Sequence, residues 1–400
     1  MSIGVALANR RGIALACDSA ITVTSKGYNF QKESYLKSGN KLFKLSDKFP
    51  IGATVTSSST INTVDVDTIF YDLKKRIDKG NFHDDFKDVF EDFLANLDEN
   101  RDSYKFDQFL TSSFLNFSYR AILAFNDAAN DPDCDDNIMG LTIDEIEDRT
   151  HVIDLPVEEF DFMPLLKEHT YEAFLKCIKK NCEFDLPEAF VEDFFTFLGG
   201  YFFYNLFDTC DSKILLIGYG NKDAFPRAVE FKYFGYWYGH HLYEISDESE
   251  FYKADDAIYF HNGFVEGADI ITSGFNDKII KHFNNKNIID ETDKLFEDIL
   301  TKEQTEIFDE QLRNTFLYDF EDVLFKKLDN VKDKLFLNLN SFNVSELANV
   351  AEGLVKAECM RHKYFMDKNY KVVGEPIDVA VITRDGFTWI KNKNDLSEGL

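Results

Sequence analysis

Apolar positions come in two short runs at the start of the chain, Ile3–Ala8 and Ile13–Cys17, on either side of Asn9-Arg10-Arg11-Gly12. Runs of that length around a glycine turn predict a β-hairpin. A polar stretch follows and reads as a loop. Lys41–Leu45 (KLFKL) then alternates, Ser46-Asp47-Lys48 turns, and Ile51–Ser58 (IGATVTSS) returns, which predicts a second hairpin. Downstream the apolar spacing changes to three and four residues, predicting helices over 63–77, 82–97 and 190–207. Within this acidic, mostly helical block, 119–127 (YRAILAFND) reads as a strand. Strand patterns resume at 213–220, 228–234 and 268–274, and a charge-rich helical stretch spans 275–334. Over 343–366 a further helix is predicted, with Asn343 and Glu346 as a capping pair. Leu347, Val350, Leu354, Ala357, Met360 and Tyr364 mark its apolar stripe, read as core, with a partner-helix surface as the alternative. A last hairpin over 377–391 turns at Arg384-Asp385-Gly386.

Strands that arrive as hairpins at both ends, with helix pairs between, predict an α+β fold of antiparallel sheets packed face to face with helices outside. No GxGxxG follows a strand and no GxxxxGK[ST] occurs, so the doubly wound nucleotide-binding pattern is absent. Arg10 and Arg11 split the first apolar residues, unlike a secretory signal, and Ile13–Cys17 is too short a run for a lipoprotein signal. No stretch approaches the ~20 apolar residues of a membrane span. The expectation is a soluble, cytoplasmic protein.

Charge and composition narrow the partners. The 400-residue chain carries a net charge of −28, which argues against nucleic acid and anionic membrane, since both select Lys/Arg patches. Its 41 phenylalanines predict helices packed through aromatic faces. The six cysteines form no CxxC pair, and Cys177 and Cys182, five apart on a predicted helix, have no histidine at ligand spacing, so reduced thiols and no zinc are expected. The run 131–137 (DPDCDDN) mimics the start of a calcium loop, but Asp136 stands where the loop needs glycine and Thr142 where it needs glutamate. His240 and His241 are adjacent, so on a strand they face opposite sides. No cofactor is implied.

The hairpins have a likeness. GVALANRRGIALACDSAIT (4–22) is similar to the first hairpin of the proteasome β-type subunits, a family that includes the heat-shock-locus peptidase and the Anbu proteins. NKLFKLSD (40–47) resembles the family's lysine-bearing strand, and IGATVTSS the strand after it. KILLIGYGNKDAFPRAVEF (213–231) resembles its central hairpin, and VVGEPIDVAVITRDGFTWI (372–390) its last. The resemblance covers 1–82, 190–286 and 343–392, with 83–189 and 287–342 as insertions in one domain. It implies a four-layer αββα sandwich of the N-terminal-nucleophile (Ntn) hydrolases and a homo-oligomer, with a ring as one form.

The resemblance also implies a chemistry. A hydroxyl on the first mature residue attacks an amide of a peptide or protein substrate, and that residue's α-amine is the base. Ser2 takes this position after Met1 is removed; Lys41 is the charged partner and Asp18 its counter-ion. Ser57, or Thr56 if the alignment slips by one, supplies the oxyanion N–H. Thr22 pairs with substrate backbone, while Ile21, Thr54 and Ser58 line the pocket for the side chain before the cut. The sequence departs from the pattern in several places. Threonine is the usual nucleophile and glycine the usual oxyanion residue. The family's aspartate and serine after the last helix are replaced by Tyr370 and Val373, with Asp367 the nearest carboxylate, and its helper serine matches only loosely, at Ser273. Ser2 after methionine, Asp18 at a turn and Lys41 on a strand edge also have ordinary structural readings. An inactive proteasome-like scaffold and a small-molecule amidase are the alternatives.

Overall fold

The computed structural model describes residues 2–27, 30–36, 39–80, 83–129, 162–182, 185–209, 212–250, 257–263, 337–364 and 373–393. Two five-stranded antiparallel sheets form its frame, and β7 (Thr60–Ile61) pairs with β8 (Val64–Asp65) in a short ribbon of its own. The first is built from β1 (Ile3–Asn9), β2 (Gly12–Asp18), β12 (Ile258–Gly263), β13 (Ile377–Thr383) and β14 (Gly386–Lys391). Their order is β12-β1-β2-β13-β14. The second has the order β11-β10-β9-β6-β5, from β5 (Leu42–Lys44), β6 (Ile51–Ser57), β9 (Ser212–Gly218), β10 (Arg227–Trp237) and β11 (His240–Glu250). Both N-terminal hairpins and the last one stand where the sequence predicts them.

β1 and β2 are buried at every position, which is why they read as continuous apolar runs rather than as alternation. On one face Ile3, Val5, Leu7, Ala14 and Ala16 pack with Leu347, Ala351, Leu354 and Val355 of helix α6 (Val344–Tyr364). On the other, Ala6, Ala8, Ile13 and Leu15 meet Leu215, Ile217 and Ala228 of the second sheet. The far face of that sheet is covered by α1 (Val66–Lys79) and α2 (Asp88–Tyr104), through Ile69, Phe70, Leu73, Phe90 and Phe93. Phe90 and Phe93 meet Phe231 at ring-centroid distances of 4.8 and 5.3 Å. So α2, which the sequence reading assigns to the first insertion, lies directly on the sheet. Helices α3 (Phe106–Ala129), α4 (Met163–Asn181) and α5 (Glu188–Thr209) make a separate phenylalanine-rich core. It joins the second sheet through Phe234, Trp237 and Leu242.

Three expectations are corrected. Residues 119–127 are helix, the end of α3, not a strand. Leu110, Phe114, Ile122 and Phe125 recur at helical spacing and are buried together, and a short window hid that period. The polar stretch before Lys41 is no loop but a hairpin of β3 (Ile21–Gly27) and β4 (Phe30–Leu36). Its polar composition masked a β-branched start, Ile-Thr-Val-Thr. The stripe on α6 is turned about the helix. Leu347 and Leu354 are buried, but Met360 is 58% and Tyr364 65% exposed. The buried face instead runs through Ala348, Ala351, Val355, Cys359 and three polar residues, Glu352 and the pair Glu358 and His362. These two hold one another with Arg361, whose Nε donates to Glu358 at 2.7 Å. A reading that counts only apolar residues misses such a face. The cap of α6 is as expected: the Asn343 N–H donates to Glu346 at 2.7 Å, and the Glu346 N–H to Asn343 at 3.0 Å. The calcium-like run, 268–274 and 275–334 lie outside the described residues.

Candidate active site

Asp18 ends β2, and its carboxylate is fully buried. A buried charge is tolerated only when paired and hydrogen-bonded, and this one has four donors. Oδ1 accepts the Ile3 N–H at 3.0 Å and the Lys41 ammonium at 2.7 Å. Oδ2 accepts the N–H groups of Ala20 and Gly374, each at 3.2 Å. One oxygen therefore links Lys41 to the amide that follows Ser2. Lys41 enters β5, and its carbonyl accepts the Val55 N–H at 2.9 Å, which fixes it against β6. Burial pushes the Lys41 amine below its ordinary value, and the Asp18 charge opposes that fall.

Ser2 is 3% exposed and stands at the head of β1. Ser2, Lys41, Thr56, Ser57 and Ser58 share the wall of one cavity of about 240 Å³ with Ala20, Asn40, Asp65 and Asp67. The fold thus brings Ser2, Asp18, Lys41, Ser57 and Ser58 to one end of the two sheets, although they come from four separate segments. Ser57 has φ +66°, the left-handed region that costs an L-residue roughly 1–2 kcal/mol and glycine little. That is the backbone a glycine at this position would take. Ser58 is engaged locally: its hydroxyl donates to the Thr60 carbonyl at 3.0 Å. Thr54 is buried on the inter-sheet side, where its Oγ1 lies 3.6 Å from a Cβ placed on Gly4, and it is not part of the cavity wall. Ile21 and Thr22 open β3 directly after Ala20. Cys17, beside Asp18, is no rival nucleophile, because burial pushes its thiol far above the ordinary range.

No protein-family model matches the chain, and no curated protein does. Among solved structures it is similar to Anbu (ancestral beta-subunit) from Yersinia bercovieri. The match has 14% identity, covers 99% of this chain and 94% of that chain, and has a TM-score of 0.27. A TM-score of that size assigns neither fold nor activity.

Sequence reasoning missed a second buried pair next to Asp18. Asp378 on β13 accepts the Ser19 hydroxyl at 3.2 Å and the Lys393 N–H at 2.7 Å, and pairs with the Lys393 ammonium at 3.3 Å. Lys393 also donates to the Gly39 carbonyl, two residues before Lys41. The Gly39 N–H in turn donates to the Ser19 carbonyl at 2.9 Å. The pair therefore clamps the segment that delivers Lys41 to the end of β2. Its members lie some 360 residues from Ser19 in sequence, and no local motif marks them. Of the departures noted in the sequence, Val373 is buried core, while Tyr370, Asp367 and Ser273 lie outside the described residues.

Proposed function

We propose that the chain is a proteasome-like Ntn hydrolase that cleaves amide bonds with Ser2, once the residue before it has been removed. The observation that carries this reading is the shared Asp18 oxygen. It holds Lys41 and the Ile3 N–H together at a cavity whose wall includes Ser2. In this reading the fold is the four-layer αββα sandwich: α6, the two sheets, then α1 and α2. The segments 1–82, 190–286 and 343–392 are its core, with insertions at 83–189 and 287–342, the first of which supplies α2 to the outer helical layer.

The chemistry follows from the groups present. The freed α-amine of Ser2, with an ordinary pKa of about 7.7–8.0, takes the proton from Oγ as Oγ attacks the substrate carbonyl carbon. Lys41, charged and held by Asp18, keeps the amine neutral by repelling a second positive charge. The Ser57 N–H donates to the oxyanion of the tetrahedral intermediate. The C–N bond then breaks, the proton passes from the α-ammonium to the departing amine, and an ester remains on Ser2. Water, deprotonated by the same α-amine, hydrolyses that ester and regenerates the serine. Thr22 and Ser58 are the proposed substrate contacts, with Ile21 beside them, and the working form is a homo-oligomer.

The test starts at the N-terminus. N-terminal sequencing of the purified native protein is expected to find Ser2 first. Ser2→Ala should keep the fold and lower hydrolysis of short peptide amides by about a thousandfold or more, and abolish labelling by an epoxyketone. Lys41→Ala should come close to the same loss. A native protein that retains Met1, or a Ser2→Ala variant that still cleaves, overturns the mechanism and leaves the scaffold reading.

A further inference from the structure

The cavity beside Ser2 has a charge of its own. Asp65 and Asp67 form part of its wall at the N-terminus of α1, and both are exposed. Carboxylates there have an ordinary role, since they favour a helix whose N-terminus carries about +0.5 charge. Asp65 holds the N-cap position, yet its side chain makes no capping hydrogen bond. Two full negative charges also exceed what the dipole needs. Asp67 accepts the Asn40 amide at 2.8 Å through Oδ1, which fixes the carboxylate beside the cavity. The cation already present is spoken for: Lys41 is paired with Asp18. A second observation points to a ligand. Thr56, 2% exposed and in the same wall, has a buried hydroxyl with no partner among the described residues. A buried hydroxyl of that kind costs stability unless something binds it.

We propose that this cavity takes a cationic side chain, that of lysine or arginine, on the acyl side of the amide that Ser2 attacks. The proposal rests on the hydrolase reading for the position of the scissile bond. The volume of about 240 Å³ holds one side chain rather than a large ligand. The carboxylates of Asp65 and Asp67 face the cationic head, and the Thr56 hydroxyl supplies a neutral polar contact deeper in the wall. The net charge of −28 acts in the same direction at long range, because it raises the local concentration of cationic substrates.

The experiment has a binding arm and a cleavage arm. Binding of acetyl-lysine methylamide, acetyl-leucine methylamide and acetyl-glutamate methylamide to the full chain is measured by NMR titration. Cleavage is measured on fluorogenic peptides that differ only in the residue before the cut. Lysine is expected to exceed leucine by roughly tenfold in both arms, the size that two solvent-screened ion pairs allow, with glutamate last. In Asp65→Asn/Asp67→Asn, checked for folding by its urea midpoint, the lysine preference should fall below about threefold. It should also shrink as salt is added to the wild type. Asp67→Asn alone serves if the double variant is unstable. Lysine selectivity in binding with no cleavage of any peptide overturns the hydrolase reading and keeps the cation pocket. Cleavage without a preference for lysine, or with leucine favoured, overturns the pocket and keeps the hydrolase.

Discussion

Asp18 and Lys41 carry the electrostatics of the candidate site at the scale of single residues. A buried ammonium loses its proton more easily than a solvated one, and the Asp18 charge works against that loss. The charged form of Lys41 exists only below its pKa. Because burial lowers that pKa from 10.5, an activity that needs the ammonium should fall on the alkaline side at a pH below 10.5. Asp18→Asn removes the opposing charge, so its alkaline limb should move further down, together with a lower maximum. A pH–rate profile of kcat/KM on both proteins measures this; a limb at or above the ordinary lysine value, or one that ignores Asp18→Asn, would refute the role given to Lys41. Asp18 and Lys41 were legible in the sequence because each sits in a local pattern, CDSA and KLFKL. Asp378 and Lys393 were not, since nothing in the residues around them marks which distant chain they clamp. Ser57 was legible as a position, but its left-handed backbone appears only in the fold.

Helix α6 shows what a periodic reading can and cannot find. The helix itself, its cap and two of its core residues follow from the sequence, because a capping box and three- and four-residue spacing are local signals. Its orientation does not follow. The buried face contains Glu352, Glu358 and His362 beside small residues, so its apolar signal is weak, while Met360 and Tyr364 add apolar signal on the exposed side. The hairpin β3–β4 fails for the opposite reason, a strand pair written in polar residues. The orientation of α6 predicts a contrast between two variants. Met360→Lys should change stability by less than about 0.5 kcal/mol, as an exposed site does. Leu354→Ala should cost about 2–4 kcal/mol, since Leu354 packs with Val5 and Ala16 of the sheet. Urea unfolding of the two variants and the wild type decides it; equal losses would mean that the stripe reaches a partner surface through Met360.

The whole molecule has local pairings that the sequence predicts and distant ones that it does not. The hairpins β1–β2, β5–β6 and β13–β14 pair neighbours in sequence and were expected from turn signals, whereas β3–β4 and β10–β11 were not. The contacts that make two sheets of them are distant: β2 with β13, β6 with β9 and β1 with β12. Nothing in the residues of these strands marks the distant partner of each, so these pairings were not legible in the sequence, and β12 itself was not read as a strand. One molecular property can be read without any fold, the net charge of −28. Like charges repel across an interface, so copies of this chain should associate against an electrostatic cost, and salt should lower that cost by shortening the range of repulsion. If the working form is a homo-oligomer, its mass in solution should therefore rise with ionic strength. Light scattering at micromolar concentration, from about 0.05 to about 0.5 M NaCl, reads this directly, since the Debye length falls across that range from well above to well below ~10 Å. The expected result is a multiple of the 46.3 kDa chain that grows or tightens as salt is added. A mass of one chain at every salt concentration would rule out the homo-oligomer, and with it a ring. A stable oligomer that dissociates as salt rises would show instead that opposite charges hold the interface, which places Lys and Arg side chains of one copy against acidic groups of the next.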